Sequence, residues 1–207
     1  MKRRLLTSII ILALALLSMG AAKQQTEQQR MSIFISNFTE AGLYDFDLED
    51  EGDDDIIHLG DPERVSELIR FGITHNIINN PKSTIKKCTD KKCPYGKQII
   101  SGQSVASSVK KYFDMNIKNQ SVKDYDPAIH YDGKNYHINA DEWKPETVYY
   151  ADVQEVEKGK RVIHMSGELY NLHDKSDRPA TFTATAKPYT WNEKSTWAIL
   201  SLVVEWK

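Results

Sequence analysis

The fold is decided by the stretch from Thr147 to Trp206, which reads TVYYADVQEVEKGKRVIHMSGELYNLHDKSDRPATFTATAKPYTWNEKSTWAILSLVVEW. Four long segments with strand character follow one another there, joined by short polar turns: Thr147–Glu157, Arg161–His173, Ala180–Tyr189 and Ser195–Trp206. In the third segment, small apolar residues and phenylalanine alternate with threonine, which predicts one buried face and one solvent-facing surface. Because strands of this length exceed the usual five or six residues, the stretch predicts a strongly curved antiparallel meander.

The last of these segments is apolar on both sides. Strict alternation separates two sets of apolar residues, which are Leu200, Leu202, Val204 and Trp206 on one side and Trp197, Ile199 and Val203 on the other. Helices can cover only one side, so the other needs the curl of the sheet, a ligand or another chain. We therefore predict a ligand or partner surface at Trp197, Ile199 and Val203.

Three helical patterns precede the strands, over residues 27–38, from Asp61 to Asn79, and from near Ser101. His75, in the second pattern, is expected at a surface or boundary position. Helices followed by a long meander predict an α+β fold, with two or three N-terminal helices packed on a curved antiparallel sheet. In architecture this is similar to cystatin-like and NTF2-like proteins, although no shared sequence motif supports the similarity.

The N-terminus carries the pattern of a bacterial export signal. Basic residues at positions 2–4 precede an apolar run that ends in small residues at 18–22. An uncleaved anchor is the alternative, but the run falls short of the roughly 20 residues that a membrane span needs. We expect residues 1–22 to be a signal peptide, and residues 23–207 to be a single secreted or periplasmic domain that meets the membrane only before cleavage.

The cysteines, Cys88 and Cys93, lie close together in a lysine-rich segment. In an oxidising compartment such a pair predicts a disulfide. A zinc site needs four ligands, and neither a CxxC spacing nor a neighbouring histidine completes one in the local sequence. No zinc is therefore expected at the cysteines.

A hairpin with nearly mirrored sequence spans residues 129–138. If Gly133 and Lys134 form its turn, His130 pairs with His137, and Asp132 lies on the same face. These three side chains are the predicted metal site. One alternative is a hairpin whose polar face is simply exposed to solvent and binds no metal. The other is a turn centred on Asp132 and Gly133, which would separate the histidines.

Two charged runs have opposite signs. Residues 45–55 are acidic, and they match an EF-hand calcium loop only in part, because His58 stands where the bidentate Glu is needed. Residues 82–97 are basic, and they form either a solvated loop or a site for an anionic polymer. Tyr95 is the one aromatic residue among the lysines, so nucleic acid is not a predicted partner.

The sequence lacks the motifs of phosphate loops, serine hydrolases and metalloproteases, and it predicts neither catalytic residues nor a cofactor. The first hypothesis is a non-catalytic binding module for a cell-envelope component, a protein or a small ligand. The second is a metal-dependent hydrolytic enzyme built on the hairpin histidines. The third is an inhibitor of an extracytoplasmic enzyme that inserts the cysteine loop.

Overall fold

A computed structural model describes residues 25–48, 57–58, 64–90, 93–123, 128–143 and 147–207. The predicted signal peptide, most of the acidic run and the predicted helix start at Asp61 lie outside these residues. The helices are α1 (Glu27–Thr39), α2 (Val65–Asn79), α3 (Pro81–Thr84) and α4 (Gly102–Phe113), with a 3₁₀ turn at Ala140–Trp143. No helix in the described part of the chain has the length and apolarity to cross a membrane.

The strands form two sheets. The longer sheet contains β1 (Phe46–Asp47), β2 (Ile57–His58), β7 (Tyr149–Lys158), β8 (Ile163–Asn171), β9 (Ala180–Trp191) and β10 (Lys194–Trp206), in the order β2-β1-β10-β9-β8-β7. Strands β7 to β10 pair antiparallel with their chain neighbours, as expected for the predicted meander, and β1 pairs parallel with β2. The α+β prediction is confirmed.

The smaller sheet contains β3 (Ile85–Lys87), β4 (Gln98–Ser101), β5 (His130–Tyr131) and β6 (Asn135–Ile138), in the order β3-β4-β6-β5. Its strands are antiparallel throughout. The sequence predicted only the β5–β6 hairpin, because strands of two to four residues are too short to show a clear alternation.

Helices α2 and α4 lie between the two sheets and contribute to two cores. Leu68 and Phe71 of α2 belong to the core against the long sheet, whereas Ile69 and Ile73 of the same helix belong to the core against the small sheet. A helix covered on two sides is apolar around most of its circumference. His75 shares this burial with only 4% of its surface exposed, so its predicted surface position is wrong.

Helix α1 covers the outer edge of the long sheet. Ser32 and Ser36 are one turn apart, and their hydroxyl oxygens accept hydrogen bonds of 3.0 Å each from the backbone N–H groups of Val153 and Ala151 in β7. The Thr39 hydroxyl donates to the carbonyl oxygen of the β7 residue Tyr149 at 2.6 Å. These contacts satisfy backbone groups that an edge strand otherwise leaves open to another chain.

Two bulges interrupt the long strands. The first shifts the β7–β8 register between Val153 and Glu155, opposite Gly167. Gly167 is required because a Cβ at this position would collide with the backbone carbonyl oxygen of Asp152. The second bulge lies in β10, where Ile199 pairs with Ala186 and the pairing resumes at Ser201.

The β10 bulge overturns the predicted alternation of the last strand. Leu200 is an extra residue in β10, so the residues after it change face. Trp197 and Ile199 therefore lie in the same core as Leu202, with 8% and 0% of their surfaces exposed. Of the three residues predicted as a partner surface, only Val203 lies outside this core, so they do not share one exposed face.

Candidate functional site: the loop–hairpin face

The hairpin has the predicted register. His130 pairs with His137, and Tyr131 pairs with Tyr136. Gly133 has a φ of 95°, and the Asp132 carboxylate accepts hydrogen bonds from the backbone N–H groups of Lys134 at 2.8 Å and Asn135 at 2.7 Å. These backbone bonds, of which that from Asn135 has the largest effect, and the contact with His137 hold the pKa of Asp132 well below its ordinary value.

The cysteine segment closes over the hairpin. Cys88 and Cys93 form the predicted disulfide. Tyr95 then stacks on His130 with ring centroids 3.7 Å apart, and 57% of its surface remains exposed. The backbone N–H of Cys88 donates to the carbonyl oxygen of Lys97 at 2.9 Å. The backbone N–H of Lys97 donates to the Asn139 side-chain oxygen at 3.0 Å. Residues 93–97 are therefore held against the small sheet.

Gly96 makes this docking possible. Its φ is 148°, and a Cβ on it would overlap the backbone of Ile138 in β6, with distances of 2.5 to 2.6 Å. A side chain here would therefore push the loop away from the hairpin.

We expect Gly96→Ala to lower the free energy of unfolding by about 1–3 kcal/mol. It should also speed hydrogen exchange at the Cys88 and Lys97 amides. Gly133→Asn is the control, because Gly133 also has a positive φ but a Cβ there would meet open space. Equal exchange rates at these two amides in both variants would contradict the proposed docking role of Gly96.

We call the region of the small sheet and cysteine segment that carries Lys86, Lys87, Tyr95, Lys97 and His130 the loop–hairpin face. Lys86 and His130 share one side of the sheet but lie on its opposite edge strands, β3 and β5, whereas Lys87 alternates to the other side. Beside it, at the edge of β3, is an open pocket of about 600 Å³, lined by Ile85, Lys86, Lys87, Lys97, Gln98, Asn139, Ala140, Asp141 and Glu142. The three lysines are exposed, and so are the two lining carboxylates, Asp141 and Glu142. Glu142 accepts a hydrogen bond of 3.1 Å from the Asn139 side chain. The pocket thus offers ammonium groups, and Lys97 in its lining follows the exposed Tyr95 by two residues.

The groove on the outer face of the long sheet is lined by carboxylates instead of ammonium groups. Val203 lies there in an open groove of about 340 Å³, together with Glu155, Glu168 and Glu205. Glu168 is paired with Arg178 at 3.2 Å and Lys207 at 2.8 Å. Glu155 and Glu205 leave this groove with a negative balance, whereas three lysines against Asp141 and Glu142 leave the pocket with a positive one. An anionic ligand is therefore favoured at the pocket rather than in the groove.

His137 lies beneath the loop. The structure places its Nε2 at 2.9 Å from Asp132 Oδ2, and its ring centroid 5.5 Å from that of His130. The three residues predicted as a metal site therefore lie close together. However, within the described residues, ligand atoms of three or more His, Cys, Asp or Glu side chains gather within 4.8 Å only at Cys88, Asp90 and His137. Metal binding by His130, His137 and Asp132 stays a prediction.

The acidic run is described only at its start. Asp45 accepts a hydrogen bond of 2.6 Å from the backbone N–H of Val204 in β10, so its carboxylate fixes the end of the long sheet. The remaining positions of the predicted calcium loop lie mostly outside the described residues, and calcium binding stays a prediction.

Comparisons with known proteins return no match for this chain, either among protein-family models or among curated proteins and solved structures. The cystatin-like or NTF2-like architecture is not confirmed.

Proposed function

We propose that this protein is an extracytoplasmic, non-catalytic binding protein that recognises an anionic polymer of the cell envelope through the loop–hairpin face. The observation that carries the proposal is an exposed aromatic ring, held on the hairpin by stacking. It lies two residues from Lys97, which lines a pocket together with Lys86 and Lys87. Tyr95 provides a flat surface for a ring or chain of the polymer, and the lysines provide charge for its phosphates or carboxylates.

Preorganisation supports binding at this face. The disulfide, the Gly96 contact and the stacking on His130 fix Tyr95 before any ligand arrives. Binding then costs little additional ordering of the loop. The disulfide also supports an oxidising compartment, where the expected signal peptide would deliver the protein.

The burial of His137 supports a role without catalysis. Its Nε2 is engaged by Asp132, its Nδ1 is buried, and only 4% of its side-chain surface is exposed. A general base must reach a substrate proton, and neither nitrogen faces the solvent. The hydrolytic hypothesis and the inhibitor hypothesis stay predictions. The inhibitor hypothesis uses the same cysteine loop, with a protein as the partner.

Affinity for model polyanions tests the proposal. We expect the protein to bind polyphosphate or polyglutamate, to bind neutral dextran at least tenfold more weakly, and to lose affinity as salt rises. Lys86→Glu with Lys87→Glu should weaken polyanion binding by about 10- to 100-fold, on the order of 1 kcal/mol or more for each lysine.

The matched control is Lys160→Glu with Lys194→Glu. It changes the net charge equally, at two exposed lysines in the β7–β8 turn and at the start of β10. The control should change affinity less than twofold. Equal losses in the two double variants would show that binding follows net charge rather than this face. No binding of either polyanion by the unaltered protein would overturn the proposal.

A further inference from the structure

His137 presents an unused ligand atom. Within the described residues, its Nδ1 is the one buried side-chain nitrogen or oxygen that lacks a hydrogen-bond partner. A buried polar atom without a partner destabilises the fold. Asp132 Oδ2 lies 2.9 Å from Nε2, and an ionised carboxylate can only accept a hydrogen bond. The ring proton of a neutral His137 is therefore on Nε2. Nδ1 therefore keeps a free lone pair.

A ring nitrogen of His137 lies near a sulfur atom and a carboxylate. Because Asp132 engages Nε2, we assign this nitrogen to Nδ1. Cys88 Sγ, an Asp90 carboxylate oxygen and a His137 ring nitrogen all lie within 4.8 Å of one another. In a tetrahedral zinc site, metal–ligand bonds of about 2.0 to 2.3 Å place the ligand atoms roughly 3.5 Å apart. Movements of about 1 Å bring these atoms to that spacing. Cys93 is bonded to Cys88, so its sulfur atom adjoins this cluster.

We infer that reduction of the disulfide converts this cluster into a site for Zn²⁺ or a similar thiophilic divalent cation, held by Cys88, Asp90, Cys93 and His137. Asp132 is a positioning residue, because its carboxylate orients the imidazole through Nε2, as carboxylates do behind many zinc-bound histidines. The inference does not depend on polymer binding.

The disulfide and the metal exclude each other. A dithiol reductant supplies two electrons and two protons to the Cys88–Cys93 bond, the bond breaks, two thiols form, and the reductant becomes a disulfide. Metal binding then displaces both thiol protons, because the ligands are thiolates. Either the disulfide or the metal would connect Cys88 to Cys93, and the metal would also connect them to β6 through His137.

Titration with Co²⁺ tests the site, since thiolate-bound Co²⁺ absorbs through ligand-to-metal charge transfer. The protein is reduced with a dithiol, and the reductant is removed under anaerobic conditions. Co²⁺ is then titrated in, and Zn²⁺ is added last as a competitor. We expect one Co²⁺ per chain with a thiolate charge-transfer band, displacement by Zn²⁺, and at least 100-fold weaker binding in the oxidised protein. Bound Zn²⁺ should also protect both cysteines from alkylation.

Variants identify the ligands. His137→Ala should weaken Co²⁺ binding at least 100-fold. Asp90→Asn, at an exposed position that leaves the core intact, and Asp132→Asn should each weaken it about 10- to 100-fold. His130→Ala is the matched control, because His130 lies beside the cluster but outside it, and it should change affinity less than threefold.

Four results would overturn the inference. The first is a reduced protein without a charge-transfer band. The second is equal affinity in the oxidised and reduced proteins. The third is unchanged affinity in both His137→Ala and Asp90→Asn, which would leave the two cysteines alone as ligands. Loss of binding in His130→Ala but not in His137→Ala would instead assign the metal to the other hairpin histidine and would also overturn the site.

Discussion

Phe38→Ala should lower the free energy of unfolding by about 3–5 kcal/mol, the range for removing a fully buried phenylalanine. Phe38 has no exposed surface. Its ring centroid lies 5.4 Å from those of Phe71 in α2 and Phe113 in α4, and 5.9 Å from that of Phe46 in β1. The ring thus joins α1 to two further helices and to the long sheet.

Urea unfolding followed by circular dichroism measures this loss. Ile33→Ala in the same helix is the control, because 51% of Ile33 is exposed, and it should change stability by no more than about 0.5 kcal/mol. Similar midpoints and slopes for the two variants would contradict the placement of Phe38 at the centre of the core.

Stability should fall by on the order of 3 kcal/mol as the pH drops from about 6.5 to about 4, because of His75. Burial, and to a smaller extent the positive charge of Lys111, lowers the pKa of His75 to about 4. The ring lies between Phe71 and Tyr112, with centroid distances of 5.6 and 4.7 Å. In this window the unfolded chain binds a proton that the folded chain does not, so acid favours unfolding.

The difference between the unaltered protein and His75→Phe isolates this effect. Burial raises the pKa of Glu40, so its contribution declines as the pH rises and opposes that of His75. Both groups contact the Asn79 amide, at 3.1 Å from His75 and 3.3 Å from Glu40. His75→Phe should lose most of the acid sensitivity, and Glu40→Gln should keep it. An unchanged pH dependence in His75→Phe would refute this assignment.

Local periodicity predicted the long strands and the hairpin register, because neighbouring residues determine both. The two-residue strands β1 and β2 could not be found in this way, since their pairing depends on distant segments. Nothing in the apolar run around Leu200 marks it as the extra residue of a bulge. The predicted partner surface failed for that reason, because one inserted residue exchanges the two faces of a strand.

The candidate site was predicted in separate parts. The sequence indicated the disulfide and the histidine pair, but His137 lies 49 positions beyond Cys88. The pairing of β3 with β4 and of β4 with β6 brings them together. The expectation that no histidine lies near the cysteines considered neighbours in sequence alone. A glycine directly after Cys-Pro-Tyr was a usable signal, since Gly96 permits the loop to meet β6.

The central claim is that function resides on the loop–hairpin face and not on the long sheet. Amide chemical-shift mapping during titration with polyphosphate or polyglutamate tests it most directly. We predict shifts at Lys86, Tyr95, Lys97 and His130, with none at Val203. Shifts centred on Val203 and the groove around it, with an unperturbed cysteine loop, would contradict the claim.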